Sequence, residues 1–341
     1  MPTQLKQLTN LCLYSSVGNG KIIEKIKKGE PMNSTALMLV LGFCVTEALY
    51  NVCITQVTKQ KPQLKKRIMT LAGLVGLVAT VLLFLVAFIT GGMEVTEGWW
   101  KPGLITGVLA GGVLFAEFKA FSLEDASLVA PISSTTPALV IVTSFIILGE
   151  YPSSAGWVGI QFIVLGTYLL NIQTHLRRCR EAGTRITWKD WLAPFIMLAK
   201  SKGVRYAYLC VLFAIFSLNY EALAVRKANV AFASACIFGI ASLLNLAVAS
   251  YVEGKITTRE VIFLRQPLVL VIATCLFLGI FLSNSAFRYD IVPYVGTLKR
   301  LQIPLTILFA WYFLGERENF KGRLFGGSLM AVGAIFIALG G

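Results

Sequence analysis

The feature that most constrains this chain is a set of unbroken apolar stretches, each about as long as a bilayer is thick. Residues 68–90, 126–149, 151–174, 230–252, 266–287 and 324–341 contain no Asp, Glu, Lys or Arg. A helix crossing the hydrocarbon needs ~20 predominantly apolar residues. Four more stretches of that length carry only a few charges: 35–58 (Glu47), 100–121 (Lys101, Glu117, Lys119), 206–225 (Glu221) and 291–315 (Lys299, Arg300). Composition removes the soluble alternative. Hydrophobic residues make up 56% and charged residues 14%, with a mean hydropathy of +0.72. A water-soluble fold has no way to hide that much apolar surface behind a charged exterior. Outer-membrane strands run in alternating segments of ~10 residues, not continuous runs. The sequence therefore predicts an all-α polytopic membrane protein with ten transmembrane helices.

The net charge of +14 does not point to nucleic acid. The basic residues lie mostly between apolar runs, as in cytoplasm-facing membrane loops. Five of the seven cysteines (Cys44, Cys53, Cys210, Cys236, Cys275) fall inside apolar runs without C-x-x-C spacing. They read as small core residues, not as disulfides or metal ligands. With His175 the only histidine, His-rich metal sites and most His-based catalysis are excluded, and no cofactor is expected.

The chain divides into a polar tail (1–31), a first set of five spans (32–174), a basic connector (175–205) and a second set of five (206–341). The tail has no apolar core after its lysines and so is not a signal peptide; it reads as dispensable. In the connector, Trp188, Trp191 and Phe195 are spaced for one helical face, which suits either an interfacial helix or an ordinary linker. The loops at 59–67 and 175–205 are strongly basic and share one side; Arg226 and Lys227 lie on the other. For a start at Met32, the positive-inside rule places the basic loops in the cytoplasm and both termini outside. A C-terminal reporter active only in the cytoplasm should then stay silent.

The two sets are related. A shift of 166 lays 120–150 over 286–316 without a gap, with identities at Ala120/Ala286, Phe121/Phe287, Val129/Val295, Leu139/Leu305, Ile141/Ile307, Leu148/Leu314, Gly149/Gly315 and Glu150/Glu316. A shift of 168 pairs Asn51 with Asn219. An odd number of spans per repeat inserts the halves in opposite orientations. The expected architecture is a 5+5 inverted repeat, common among secondary transporters, with the site at the repeat interface.

Two stretches carry a family resemblance. One is ASLVAP at 126–131, running to Leu148, Gly149 and Glu150. The other is YVGTLKR at 294–300, running to Leu314, Gly315, Glu316 and Arg317. With the five-plus-five plan, they make the chain resemble the EamA-like members of the drug/metabolite transporter superfamily from residue 35 onward. The resemblance implies a proton-coupled or exchange transporter of small polar metabolites. It also implies a cavity among the third, fourth, eighth and ninth helices, with the first and sixth.

An ionisable group in hydrocarbon is costly, so it faces a cavity or a partner. That makes Glu47, Glu117 and Glu221 candidate proton-coupling groups. Lys299 and Arg300 stand where the other half has Ser133 and Ser134, so the site is hydroxylic on one side and cationic on the other. Adjacent helical residues point ~100° apart, so one of the two cations should face the cavity, where it suits a substrate carboxylate or phosphate. Glu47, Asn51, Glu117, Ser133, Ser134, Asn219, Lys299 and Arg300 form the candidate substrate-binding set. Pro131, Pro137 and Pro304 mark helix breaks in repeat-equivalent spans. Gly103, Gly107 and Gly111 read as a close-packing stripe.

The expected function is alternating-access transport of amino-acid-like or other anionic or zwitterionic solutes, with no enzymatic chemistry. The alternative is a lipid-headgroup flippase of the same fold. The expected partners are a small-molecule substrate and the lipid bilayer, the expected state a monomer or homodimer, and the expected location the bacterial inner (plasma) membrane.

Overall fold

The computed structural model describes residues 32–60, 67–90, 92–93, 95–123, 132, 135–184, 186–192, 196, 201–256, 264, 266–315 and 320–340. Pro131, Ser133 and Ser134, the tail 1–31, Phe195 and the Glu316–Arg317 pair lie outside the described residues. The described chain is helical, with one isolated antiparallel bridge between Val95 and Ala228. In chain order the helices are α1 (Ser34–Gln60), α2 (Ile68–Ile89), α3 (Trp100–Leu123), α4 (Thr136–Leu148), α5 (Ser154–Glu181) and the short α6 (Trp188–Trp191). They continue with α7 (Lys202–Arg226), α8 (Val230–Val252), α9 (Pro267–Ala286), α10 (Val292–Leu298), α11 (Gln302–Leu314) and α12 (Phe320–Gly340).

Five of these helices contain segments long and apolar enough to cross a membrane: Ser34–Val57, Met69–Ile89, Lys202–Arg226, Val230–Val252 and Pro267–Ala286. Shorter apolar segments occupy Thr136–Leu148, Ser154–Leu170 and Phe325–Gly340. The described residues are those of a helical, polytopic membrane protein. Several ends differ from the sequence reading. Helix α5 runs past residue 174 to Glu181, and an i,i+4 ion pair of 2.6 Å between Arg177 and Glu181 supports this polar extension. Within the connector, the short turn α6 carries Trp188 and Trp191. Thr187 caps it reciprocally with Asp190, and both tryptophans are exposed.

Gly149 and Gly315 explain the Leu-Gly-Glu endings. Each ends its helix in the left-handed region, with φ of 69° and 67°, where a residue without Cβ pays no steric penalty.

Helices from before and after the connector pack against each other in antiparallel pairs. Thr106 on α3 bonds the Ser217 carbonyl on α7 at 3.1 Å, and Trp99 Nε1 donates to the Ala224 carbonyl at 3.0 Å. Gly73 on α2 faces Leu246 on α8, and Gly239 faces Thr80. On α1 and α9, Gly42 faces Leu282 and Gly279 faces Thr46. On α5 and α12, Gly159 faces the Gly333 carbonyl and Gly166 the Gly326 carbonyl. In each pair, one register rises as the other falls. The α3 glycines pack closely too, Gly107 and Gly111 against Ile240 and Leu244 of α8.

One end of the bundle is tied by buried polar bonds. Arg226, the last residue of α7, donates from Nη1 to Glu150 Oε1 at 2.6 Å, from Nε to the Phe287 carbonyl at 2.7 Å and from Nη2 to the Asp290 carbonyl at 2.9 Å. Glu150 Oε2 accepts from the Val292 amide at 2.9 Å, capping α10. Asp290 accepts from the Asn33 amide at 2.8 Å, and the Tyr294 hydroxyl accepts from the Ser153 amide at 2.8 Å. The Arg226 and Glu150 side chains are 4% and 0% exposed, so the pair is shut off from water.

Candidate functional site

The site forms where the chain between α10 and α11 departs from α-helical geometry. Pro304 lacks an N–H, and its ring crowds the carbonyl four residues back, that of Arg300. Lys299–Leu301 tighten into a 3₁₀ turn between the two helices, a geometry that often marks a hinge when it interrupts a helix. The Cys44 thiol on α1 donates to the Leu298 carbonyl at 3.5 Å and lies 3.8 Å from that of Lys299. The turn is thereby held against α1. Thr297 Oγ1 and Gln302 Oε1 flank it as buried oxygens with no hydrogen-bond partner.

The two cations occupy different surroundings. Lys299 Nζ sits 4.5 Å from the centre of the Phe287 ring and 5.4 Å from that of Phe43. A cation held this close to two aromatic faces is attracted by both. It also lies in the field of the Glu221 and Glu47 carboxylates. Arg300 lies in the field of Glu117 and next to Cys210. Neither cation closes to a salt bridge of 4.0 Å among the described residues.

The carboxyls come from three other helices. Glu47 is half-buried on α1, and Gly279 of α9 leaves room for it: a Cβ there would stand 3.6 Å from Glu47 Oε2. Glu221, 8% exposed on α7, lies beside Asn284. Glu117 on α3 is at the exposed surface of its helix and acts electrostatically on both Glu47 and Arg300. It lies ~27 Å along α3 from Trp99 at 1.5 Å per residue, away from the tied end. Asn51 follows Glu47 by four residues and shares its helix face. The structure thus brings together Glu47, Glu117, Glu221, Lys299 and Arg300 around the 3₁₀ turn.

Asn219 is placed elsewhere. It is fully buried, donates to Thr143 Oγ1 at 2.8 Å and to the Ile215 carbonyl at 2.7 Å, and accepts from Ser144 Oγ at 2.7 Å. That network pins α7 to α4. Pro137 is the second residue of α4, and Pro304 follows the 3₁₀ turn.

The sequence reading did not pick out Phe43, Phe287, Tyr50, Cys44 or Cys210 as part of the site. Tyr50 borders it, in the field of Glu47 and Glu117. Their contacts cross 61 to 255 positions of the chain in the bonds that hold this region, so no local spacing announces them. Among the described residues, no group of three or more His, Cys, Asp or Glu is placed to hold a metal ion.

Comparison with known proteins fits this architecture. A solved structure described as "Crystal structure of protein" superimposes with a TM-score of 0.65 at 16% identity, over 90% of this chain and 97% of its own. That likeness speaks for the fold. An "Uncharacterized transporter in cobO 3'region" of Sinorhizobium sp is 30% identical over 79 residues, 23% of this chain. The match spans 56% of that relative's length. The family model described as "EamA-like transporter family" matches residues 34–172, from the start of α1 into the last turns of α5. Over those residues, α1 to α5, the chain is similar to the EamA-like transporter family.

Proposed function

We propose that this protein is a membrane transporter of small anionic or zwitterionic metabolites, working by alternating access, with proton coupling or exchange. The architecture we read is ten spans in a 5+5 inverted repeat, α10, the 3₁₀ turn and α11 together forming the ninth. Two features support that reading. The pairs α2–α8 and α5–α12 map onto themselves when the halves are exchanged, and α3–α7 maps onto α9–α1. The pairs also run antiparallel, as oppositely inserted repeats require.

The observation that carries the functional reading is the convergence of five ionisable side chains, from α1, α3, α7 and the 3₁₀ turn, at one place. Three carboxyls face two cations there. In a low-dielectric setting an uncompensated charge is expensive, so the third carboxyl either holds a proton or meets a positive group on the substrate. A zwitterion satisfies both ends, its carboxylate against Arg300 or Lys299 and its ammonium against a glutamate. Ser133 and Ser134 remain candidates for this site from the repeat pairing of the sequence alone.

A second reading, lipid-headgroup handling, is favoured by a separate groove. Phe115 and Lys119 of α3 and Ala247, Val248, Tyr251 and Val252 of α8 line an open space of about 550 Å³. Reconstitution into proteoliposomes separates the two. Uptake of radiolabelled amino acids, nucleotides or sugar phosphates, with no movement of fluorescent phospholipid between leaflets, supports the first reading; the reverse overturns it. Glu47→Gln keeps the shape of the side chain but cannot release a proton. It is expected to fold, bind substrate and keep exchange while losing accumulation driven by a pH gradient. Unchanged gradient-driven uptake would remove Glu47 as the coupling group and leave Glu117 or Glu221.

A further inference from the structure

We propose that the Arg226–Glu150 pair is the latch of a gate that shuts one face of the protein, and that Phe287 ties this gate to the central site. The inference rests on the alternating-access reading and adds to it where the closed face is and what holds it.

The bonds at this end cross between residues before and after the connector. Glu150 joins Arg226 and the Val292 amide, Asn33 joins Asp290, and Ser153 joins Tyr294. A solvent-facing loop contact would not need this burial. Ile291, Val292 and Val295 are 0% exposed, and Tyr294 is 3% exposed. The three nitrogens of Arg226 meet a carboxylate and two carbonyls, so parting from Glu150 separates opposite charges whose side chains are 4% and 0% exposed. Such an arrangement is bistable: it is intact, or it is opened to water that hydrates both partners.

Phe287 connects the latch to the site. Its carbonyl accepts from Arg226 Nε, while its ring lies 4.5 Å from Lys299 Nζ. It is 0% exposed, with no free volume to absorb a shift on one side without passing it to the other. A substrate anion that draws Lys299 away from the ring therefore disturbs the residue that Arg226 holds. Phe287 is a positioning residue in this scheme, acting through Arg226 and Lys299.

The test is thiol accessibility in oriented proteoliposomes, with no substrate required. Val295→Cys reports the space behind the latch, and Glu117→Cys reports the opposite opening. Each is labelled with a membrane-impermeant maleimide and read by mass spectrometry of its own peptide. In the otherwise unaltered chain, Val295→Cys should label slowly and Glu117→Cys readily. Adding Glu150→Gln should raise Val295→Cys labelling by about tenfold or more and lower that of Glu117→Cys. If Glu150→Gln does not yield monodisperse protein, Arg226→Lys serves in its place, since an ammonium keeps the charge but does not reach all three acceptors. Phe287→Leu, which keeps the carbonyl and removes the aromatic face, should give an intermediate rise. Unchanged Val295→Cys labelling in a folded latch variant overturns the proposal and leaves alternating access untouched. A rise at 295 with no fall at 117 keeps the latch and overturns alternating access. Labelling of Phe287→Leu like the parent removes Phe287 from the device.

Discussion

Gly333→Ala is expected to drive α12 away from α5 and to leave little monodisperse protein. A Cβ at Gly333 would stand 2.5 Å from the Gly159 carbonyl oxygen and 2.8 Å from Ile163 Cγ1. The nearest obstacle is backbone, which cannot turn aside as a side chain can. The two helices must separate, and the contact of Gly166 with Gly326 loosens with them. Helix association in a membrane rests on van der Waals packing of this kind, since lipid supplies no hydrophobic drive between helices. Overpacking costs ~1–3 kcal/mol in ordinary cores, and backbone contact on both helices places this site at the upper end. Fluorescence-detected size exclusion and a melting curve in detergent measure it. Gly296→Ala is the control: its Cβ would meet only Leu218 Cδ1, at 3.9 Å. In mid-helix that change should be neutral or stabilise by ~0.5–1 kcal/mol. Equal melting temperatures for Gly333→Ala and the parent would rule out a tight seam.

Arg300→Gln is expected to abolish binding of an anionic or zwitterionic substrate, with a smaller effect from Lys299→Gln. The surroundings of the two cations decide the order. Lys299 is occupied between two aromatic rings and two carboxylates, whereas Arg300 lies in the field of Glu117, the most exposed carboxyl of the set. An incoming anion meets Arg300 first and displaces Glu117 from its field. A planar guanidinium grips a carboxylate or phosphate with two parallel bonds, and hydrogen bonds to charged groups are worth ~1.5–3 kcal/mol each. The expected loss is on the order of a hundredfold or more in affinity, with Arg300→Lys only partly restoring it. Thermal-shift titration with amino acids, nucleotides and sugar phosphates reads the effect. If both single variants bind like the parent, the substrate is neutral or cationic and the charges serve the protein's own packing.

Much of this was legible in the sequence, and its limits are physical. The apolar runs announced the membrane helices because solvation by lipid is a local property of each stretch. The charges inside those runs announced the site because hydrocarbon tolerates none without a reason, and Glu47, Glu117, Glu221, Lys299 and Arg300 do converge. Partnerships across the fold were not legible. Arg226 reads as a loop charge useful for orientation, yet its partner Glu150 lies 76 positions away and both are buried. Asn219 reads as a site residue from the repeat, although the α4 hydroxyls that engage it could not be known from its own neighbours. Phe43 and Phe287 are two among 22 phenylalanines, and nothing in the sequence marks which pair flanks a lysine.

Along α5, Gly159 and Gly166 stand seven residues apart, as do Gly326 and Gly333 on α12. The earlier glycine of one helix meets the later glycine of the other. A seam of this kind is its own complement, because reversing one strand of contacts reproduces the other. It makes no use of the polypeptide that joins the two helices. Two fragments produced separately and cut between Thr184 and Ser201 carry everything the seam requires, provided they enter the membrane in opposite senses. Covalent continuity fixes the stoichiometry of the two parts, while the match along this one seam is written in four residues that have no side chain.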